Sequence, residues 1–237
     1  MKDIFRRVEK KYIISKNEYL KIREEIDKYV KMDEYGKSTI CNIYFDTDKY
    51  ELISHSITKP YFKEKVRLRS YNVPNENSMV YLEIKRKEES IVGKRRIGMK
   101  LNDFNKYMNN NKLVSNSNIQ IKNELDYYFD RLDLHEKMYI SYDREAYFDK
   151  TNPDFRITFD SNIKARDYNL DLSKGSYGRF ILEPDKYIME VKTLESIPLC
   201  FVKLLTECKV MPCGFSKYGE AYTQLVLGAN TAKTCVV

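Results

Sequence analysis

Basic residues that alternate along one short segment are the first feature of this sequence that could do chemistry. Residues 63–71 read KEKVRLRSY, and this alternation predicts a β-strand, in which successive side chains point to opposite faces. One face would carry four basic side chains, Lys63, Lys65, Arg67 and Arg69. The other face would carry Val66 and Leu68. Taken alone, the pattern favours a strand whose charged face is solvated by water, and the alternative is a face that binds an anion.

The same alternation recurs on six further predicted strands, which shifts the balance toward anion binding. The residues that share these polar faces are Glu9 with Lys11, Glu83 with Lys85, Lys94 with Arg96, Tyr142 with Arg144, Arg156, and Glu190 with Lys192. Buried together without an anion, these cations would carry a large cost of desolvation and repulsion. Arginine supplies planar donors that match phosphate oxygens, and lysine supplies a point charge. A long, narrow, densely charged polyphosphate chain is therefore the expected counter-ion.

Acidic residues on the same faces predict a divalent metal ion, with Glu190 as its ligand. Mg²⁺ or Mn²⁺ commonly uses one or two carboxylates together with phosphate oxygens. Glu9 and Glu83 are candidates to join Glu190, and salt bridges to the neighbouring cations are the equal alternative for both.

Composition supports a polyanionic partner and excludes several other classes of site. The 237 residues include 42 Lys plus Arg against 35 Asp plus Glu, and 42% are hydrophobic, which is typical of a soluble globular protein. Two histidines and five cysteines provide little material for a zinc site or a serine-protease triad. The sequence contains neither a GxxxxGK[ST] loop nor a GxGxxG motif. No N-terminal signal or membrane-spanning stretch is evident, which predicts a cytoplasmic protein.

Hydrophobic periodicity predicts eight strands interspersed with amphipathic helices. The predicted strands cover 5–14, 40–46, 62–71, 79–87, 91–100, 138–147, 154–160 and 186–194. The first predicted helix has a capping box, Ser15 with Glu18, and continues for about four turns to Val30. Further predicted helices are a short one within the Asn-rich segment 102–118, one over 121–132, one after Pro198, and one over 216–227 with Gly228 as its stop.

Two architectures can accommodate so many antiparallel strands with one polar face. A sandwich would expose the polar faces to water, whereas a closed barrel of about eight strands could point them inward. Each amphipathic helix needs an apolar sheet surface to cover. We therefore predict an α+β fold, a closed antiparallel barrel with flanking helices and a charged interior.

Eight segments of the sequence resemble, in their order, the VTC domain, the polyphosphate polymerase domain of the triphosphate tunnel metalloenzyme (CYTH-like) superfamily. They are EKKYII (9–14), IYFDT (43–47), KVRLRSY (65–71), YLEIK (81–85), YDREAY (142–147), DFRITFD (154–160), IMEVKT (188–193) and FSKYGEAY (215–222). The resemblance covers residues 4–227. It implies a tunnel domain over 1–228, a tail over 229–237, and transfer of the γ-phosphate of ATP to a growing polyphosphate chain.

The resemblance also implies roles for individual residues. Phosphate-binding roles fall on Lys11, Arg67, Arg69, Lys85, Lys94, Arg144, Arg156, Lys192, Ser216 and Lys217. Catalytic roles fall on Arg67, Arg69, Lys192 and Glu190, with Glu190 holding Mn²⁺ or Mg²⁺. Ser216 lies where a helix would begin, so an ordinary N-cap is the alternative for it. For Tyr142 the alternatives are a place beside the nucleotide and a place in the core. Lys63 and Lys65 receive no role from the family pattern beyond lining the tunnel mouth.

The sequence departs from related families at two points. Hydrolytic tunnel enzymes carry an ExExK strand, whereas Arg7 here takes the place of the first acid, which disfavours a two-metal hydrolase. Eukaryotic relatives have an inositol-phosphate-sensing domain and a transmembrane segment, neither of which is expected here. The expected partners are ATP and inorganic polyphosphate or triphosphate. The alternatives are a metal-dependent triphosphatase and a non-catalytic polyphosphate-binding module. Nucleic-acid binding is disfavoured because the sequence lacks a recognisable aromatic RNA-binding motif.

Overall fold

An antiparallel sheet with helices on its outer side and at one end makes up the fold in the computed structural model, which describes residues 8–58, 60–89, 91–110, 119–194 and 196–229. The strands of the sheet are β1 (Val8–Ser15), β2 (Val30–Asp46), β3 (Phe62–Tyr71), β4 (Met79–Glu88), β5 (Ile91–Lys100), β6 (His135–Asp149), β7 (Arg156–Arg166), β8 (Arg179–Phe180) and β9 (Lys186–Thr193). Their order is β1-β9-β7-β6-β2-β3-β4-β5, and the short β8 pairs with β7. The α+β class and the antiparallel pairing predicted from the sequence are confirmed.

The helices agree with the predictions in place more closely than in length. They are α1 (Lys16–Ile26), α2 (Glu51–Ile57), α3 (Leu101–Asn110), α4 (Ile119–Leu132), α5 (Leu199–Glu207) and α6 (Lys217–Ala221), and α6 continues as a π-helical turn over Tyr222–Val226. Part of the predicted Asn-rich segment, 111–118, lies outside the described residues. The sequence reasoning missed α2. No helix among the described residues is long and apolar enough to cross a membrane.

The first helix shows where local pattern reading went wrong. Ser15 and Glu18 form the predicted capping box, but α1 ends at Ile26 and Val30 begins β2 instead of completing the helix. Val30 is buried among the residues that α1 covers. Its apolar side chain is therefore consistent with both the helical period and the strand period. Strand β2 is also much longer than predicted. Its first residues pair with β6 across an irregularity between Met32 and Lys37, which hides the alternation in the sequence.

Two apolar clusters cover the outer side of the sheet, as the sequence predicts. Val66, Leu68, Leu82 and Ile84 pack with residues of α3 and α4. On the other half of the sheet, side chains from β1, β7 and β9 pack with residues of α1 and α5. Because every second residue of these strands is buried against helices, the alternate residues, which include the charged ones, lie on the opposite side of the sheet. We call that opposite side the inner face.

The inner face curves around the segment 215–218. Phe215 O accepts a hydrogen bond from Lys11 Nζ on β1 at 3.1 Å. Ser216 Oγ accepts one from Lys65 Nζ on β3 at 2.7 Å, and the ring of Tyr218 stacks on Tyr44 of β2 with centroids 4.6 Å apart. A flat sheet could not bring β1, β2 and β3 to one short segment, because four strands, β9, β7, β6 and β2, lie between β1 and β3 in the sheet.

The ends of the sheet are β1 and β5, which no hydrogen-bonded pairing joins within the described residues. The two ends nevertheless approach each other across the inner face. Glu9 of β1 forms an ion pair with Lys85 of β4, with Oε2 and Nζ 3.8 Å apart. The predicted closure of the sheet into a barrel is therefore not shown by backbone pairing.

One buried carboxylate, that of Asp46, fixes the helices that fill one end of the curved sheet. Asp46 is fully buried and accepts hydrogen bonds from the Leu52 and Ile53 amides of α2 at 2.8 and 3.0 Å. It also accepts one from the Tyr218 hydroxyl at 2.9 Å. A single side chain thus ties the end of β2 to both α2 and α6.

Replacing Asp46 should destabilise the whole domain. Asp46→Ala leaves buried amides and a tyrosine hydroxyl without their acceptor, so we expect the free energy of unfolding to fall by roughly 3 kcal/mol, measured by urea denaturation. Asp48→Ala is the control, because the Asp48 side chain is 81% exposed and its carboxylate forms an ion pair with Lys137. Equal denaturation midpoints for the two variants would contradict this role of Asp46.

Candidate anion-binding site

Arg67, exposed Lys94 and the buried carboxylate of Glu83 form a connected group on β3, β4 and β5. Cross-strand pairing places Glu83 opposite Arg67 on β3 and opposite Arg96 on β5, two residues from Lys94. The Glu83 carboxylate lies 2.8 Å from Arg67 and 2.6 Å from Lys94. Burial alone would raise the pKa of Glu83, but the charges of Arg67, Arg69 and Lys94 outweigh burial and lower the pKa to about 2. Glu83 therefore stays ionised and acts as a salt-bridge partner for two cations.

Arg69 is buried beside neutral partners. Its Nε donates to Asn42 Oδ1 at 2.9 Å and one terminal nitrogen donates to the Tyr142 hydroxyl at 3.0 Å. Burial would raise the pKa of Tyr142, but the charges of Arg69, Arg144 and Lys217 lower it to about 8. Within the described residues, no carboxylate forms an ion pair with Arg69. The phenol and the amide hold the guanidinium in place without neutralising it.

Asp160 binds two of the predicted phosphate-binding cations. This fully buried carboxylate lies 2.6 Å from Arg144 and 2.6 Å from Lys217. Burial would raise the pKa of Asp160, and the two cations lower it to about 2. Asp160 in turn raises the pKa of Lys217 above its ordinary value in spite of burial. Since two cations share one carboxylate, the group keeps a net positive charge.

Glu9 and Glu190 lie side by side on β1 and β9 among three lysines. Glu190 contacts Lys192 at 2.8 Å, and Glu9 contacts Lys11 at 3.6 Å. Burial would raise the pKa of Glu190, but Lys192, Lys11 and Arg144 hold it well below its usual range, with a hydrogen bond to Glu9 contributing. Two adjacent oxygen ligands fit a divalent cation that takes its remaining ligands from phosphate. No group of three or more His, Cys, Asp or Glu side chains suited to a metal occurs in the described part of the chain.

Lys65 occupies the most unusual environment on the inner face. Its Nζ donates to Ser216 Oγ at 2.7 Å, and no carboxylate among the described residues pairs with it. Burial, followed by the charges of Lys11 and Lys85, lowers the pKa of Lys65 to about 7. The Lys85 pKa falls to about 8, mainly because of burial. Lys65, like Arg69, therefore has a neutral hydrogen-bond partner and no carboxylate ion pair among the described residues.

The structure brings most of the residues expected at the site to one face. The connected groups described above contain nine of these residues, namely Lys11, Arg67, Arg69, Lys85, Arg144, Lys192, Ser216, Lys217 and Glu190. Lys94 reaches the same face from β5 through Glu83. Arg156 pairs in register with Lys192 and so shares the face, but it is exposed at the end of β7. Ser216 does cap α6, accepting from the Gly219 amide at 3.1 Å. Arg7 lies outside the described residues.

Sequence reasoning missed three contributors to this site. Asp160 and Asn42 have the strand parity of Arg156 and Tyr44, so alternation alone could have placed them on the inner face. For Lys65 the sequence predicts only a place at the tunnel mouth, whereas its Nζ contacts Ser216 beside α6. No local pattern could have shown this, because Lys65 and Ser216 are 151 residues apart.

The architecture and the site together define a class, that of antiparallel sheets curved around an interior rich in basic side chains. The chain belongs to the VTC domain family, whose model matches residues 6–226. No curated protein matches the sequence.

Solved structures share this fold at low sequence identity. A candidate adenylyl cyclase from Hippeastrum, described as having a dominant triphosphatase activity, is 16% identical with a TM-score of 0.56, and the match covers 95% of this chain and 98% of that one. A candidate adenylate cyclase from Bacillus halodurans is 12% identical with a TM-score of 0.55, covering 88% of this chain and 92% of that one. These neighbours share the overall fold of this chain.

Lys65 and Lys217 should titrate in widely separated pH ranges. In protein labelled with ¹³Cε-lysine, we expect the Lys65 signal to titrate at about pH 7 and the Lys217 signal to stay in its charged form to beyond the ordinary lysine range. Lys65→Arg and Lys217→Arg assign the signals. An ordinary lysine pKa for Lys65 would show that its amine is not buried among cations.

Proposed function

We propose that this protein is a polyphosphate polymerase-type enzyme that transfers the γ-phosphate of ATP to a growing polyphosphate chain. The inner face would form the wall of a tunnel, with the β1 and β5 ends of the sheet brought together across the Glu9–Lys85 ion pair. Residues 1–228 would form the tunnel domain and 229–237 a tail. Membership of the VTC domain family supports this assignment.

The observation that carries the proposal is a pair of inner-face cations with neutral partners. Arg69 is held by Asn42 and Tyr142, and Lys65 is held by Ser216. Removing a charge from water costs several kcal/mol unless another charge compensates for it. Every carboxylate in the groups described above is already shared with other cations. A bound polyanion would supply the missing negative charge.

The inner-face cations would act by positioning the phosphates and stabilising charge. Arg67 and Arg69 lie two residues apart on one strand face, about 7 Å along β3, so they can hold successive parts of one phosphate chain. Carboxylate and amide contacts fix both guanidinium groups before substrate arrives. Phosphoryl transfer depends mainly on such alignment and on stabilisation of charge on the transferred group.

Glu190 and Glu9 would hold the divalent ion, Mn²⁺ or Mg²⁺, together with phosphate oxygens. When bound, the ion would neutralise part of the phosphate charge. Lys11 and Lys192 contact these same carboxylates, so both lysines would lie beside the ion and its phosphate ligands.

The carboxylates of the inner face are poorly suited to activate water as the acceptor. An ionised terminal phosphate oxygen can attack the γ-phosphorus without losing a proton, as the bond from that phosphorus to the β,γ-bridging oxygen breaks and ADP leaves. A water molecule must lose a proton, and carboxylates with a pKa of about 2, such as Glu83 and Asp160, are weak proton acceptors.

Triphosphate hydrolysis is the second candidate. It is supported by the dominant triphosphatase activity described for the Hippeastrum protein of the same fold. Both reactions need the same cationic wall, so the product distinguishes them. A binding module without catalysis would explain the cations, and it would not need the adjacent carboxylates on β1 and β9 as metal ligands.

Purified protein incubated with ATP and Mn²⁺ or Mg²⁺ should produce long polyphosphate. We expect Arg69→Met and Glu190→Gln each to reduce the rate roughly a hundredfold or more, because each removes a charge placed for the transition state. Arg69 is preferred to Arg67 for this test because no ion pair with a carboxylate is lost with Arg69 among the described residues, whereas loss of Arg67 removes one of the two cations that bind buried Glu83. Polyphosphate is measured by gel electrophoresis and free phosphate by colorimetry.

Lys10→Ala is the matched control for this assay. Lys10 precedes Lys11 on β1 but is exposed on the other face, so its loss should leave the rate unchanged, whereas Lys11→Ala should lower it. Free phosphate as the sole product would establish the triphosphatase instead. Full activity in both Arg69→Met and Glu190→Gln would refute the proposed site.

Binding of triphosphate should cause the protein to take up protons at about pH 8. Lys65 has a pKa of about 7 and is mostly neutral there, and an adjacent anion favours its charged form. Calorimetric titration with tripolyphosphate in buffers of different ionisation enthalpy measures the uptake. The unaltered protein should take up about one proton more than Lys65→Met at pH 8, and this difference should disappear at pH 6. Equal uptake by both proteins at pH 8 would contradict the contact between Lys65 and phosphate.

A further inference from the structure

An open cavity of about 450 Å³ lies at the end of the inner face away from α6. Its lining residues are Tyr35, Tyr71, Ser78, Met79, Tyr81 and Arg96, and we call it the tyrosine pocket. Tyr71 is two residues beyond Arg69 on the same face of β3. Tyr81 is two residues before Glu83 on β4. The pocket therefore continues directly from the cationic groups, about 7 Å farther along the strands.

The walls of the tyrosine pocket are aromatic and partly exposed. The rings of Tyr35 and Tyr71 stack with centroids 5.7 Å apart and planes 19° apart. The ring of Tyr81 stands edge-on to Tyr71, with centroids 5.9 Å apart. Tyr35 is 63% exposed and Tyr71 is 39% exposed. Aromatic faces open to a cavity are suited to stacking with another flat ring.

A glycine and an arginine set the position of Tyr81. Tyr81 lies opposite Gly98 of β5 in the sheet. A Cβ atom at Gly98 would come within 3.2 Å of the Tyr81 ring and 3.3 Å of the Met79 methyl. Arg96 places its guanidinium 4.9 Å from the Tyr81 ring centre. The pocket thus combines aromatic surface with the polar groups of Ser78, Tyr81 and Arg96, which can reach the edge of a polar ring.

Tyr142, considered from the sequence as a neighbour of the nucleotide, is unsuited to stacking. It is 3% exposed and its hydroxyl is bonded to Arg69. The cations of Lys217 and Arg144 lie 4.4 and 5.2 Å from its ring centre. A nucleobase attached to phosphates on Arg67 and Arg69 would need an aromatic surface elsewhere.

We propose that the tyrosine pocket binds the purine base of the nucleoside triphosphate, and this inference rests on the proposed function. The phosphates lie along Arg69 and Arg67, and the base stacks on the exposed tyrosine rings with its polar edge toward Ser78 and Arg96. The pocket then distinguishes a nucleotide from an inorganic phosphate chain, since the latter has no ring to stack.

Comparison of ATP with inorganic tripolyphosphate tests the pocket separately from the tunnel. Calorimetry measures the dissociation constants of both ligands for the unaltered protein, Tyr71→Ala and Gly98→Val. We expect both variants to bind ATP roughly tenfold more weakly, because they remove or displace a stacking ring, and to bind tripolyphosphate as the unaltered protein does. Tyr71→Phe should retain ATP binding, since it keeps the ring. Tyr168→Ala, which removes another exposed tyrosine, should change neither affinity.

The outcomes separate the two proposals. Equal weakening of both ligands in the Tyr71 and Gly98 variants, or no weakening of ATP, would overturn the tyrosine pocket as a base site. Failure of the unaltered protein to bind tripolyphosphate would instead overturn the proposed function. In that case the comparison of ATP affinities alone tests the tyrosine pocket. Equal ATP affinity in Tyr71→Ala and the unaltered protein would then overturn the pocket as a base site.

Discussion

Strand alternation couples the core of this protein to its charged interior. Val66 and Leu68 pack beneath the helices because Arg67 and Arg69 point the other way. A shift of register by one residue would place both arginines in the apolar core and both apolar residues among the cations. The energy of burying the outer face therefore also holds the inner cations close together against their mutual repulsion.

The carboxylates of the inner face reduce that repulsion without abolishing it. Glu83 and Asp160 each bind two cations, which fixes the long side chains in place before any ligand arrives. Lys65 and Arg69 have neutral partners instead. This arrangement leaves a rigid excess of positive charge, and a rigid excess binds an anion without further ordering of the side chains. The same carboxylates are made weak bases by the cations around them.

Much of the sheet and many of the inner-face residues could be predicted from the sequence, because strand parity is a local property. Arg67, Glu83 and Lys192 were placed correctly by their apolar neighbours. The Lys65–Ser216 contact and the insertion of α6 could not be predicted in this way, since they depend on how far the sheet curves. Helix α2 begins after Tyr50, which has a left-handed backbone, and its start relies on Asp46 instead of an ordinary cap. The roles of the individual residues in catalysis stay predictions.

The central claim is that the inner face holds a phosphate chain. The most direct measurement is a crystal structure of the protein with bound tripolyphosphate. The account predicts phosphate oxygens within hydrogen-bonding distance of Arg67 and Arg69, with Lys65 facing the same anion. Tripolyphosphate bound solely on the outer surface, with the contacts of Lys65 and Arg69 unchanged, would contradict it.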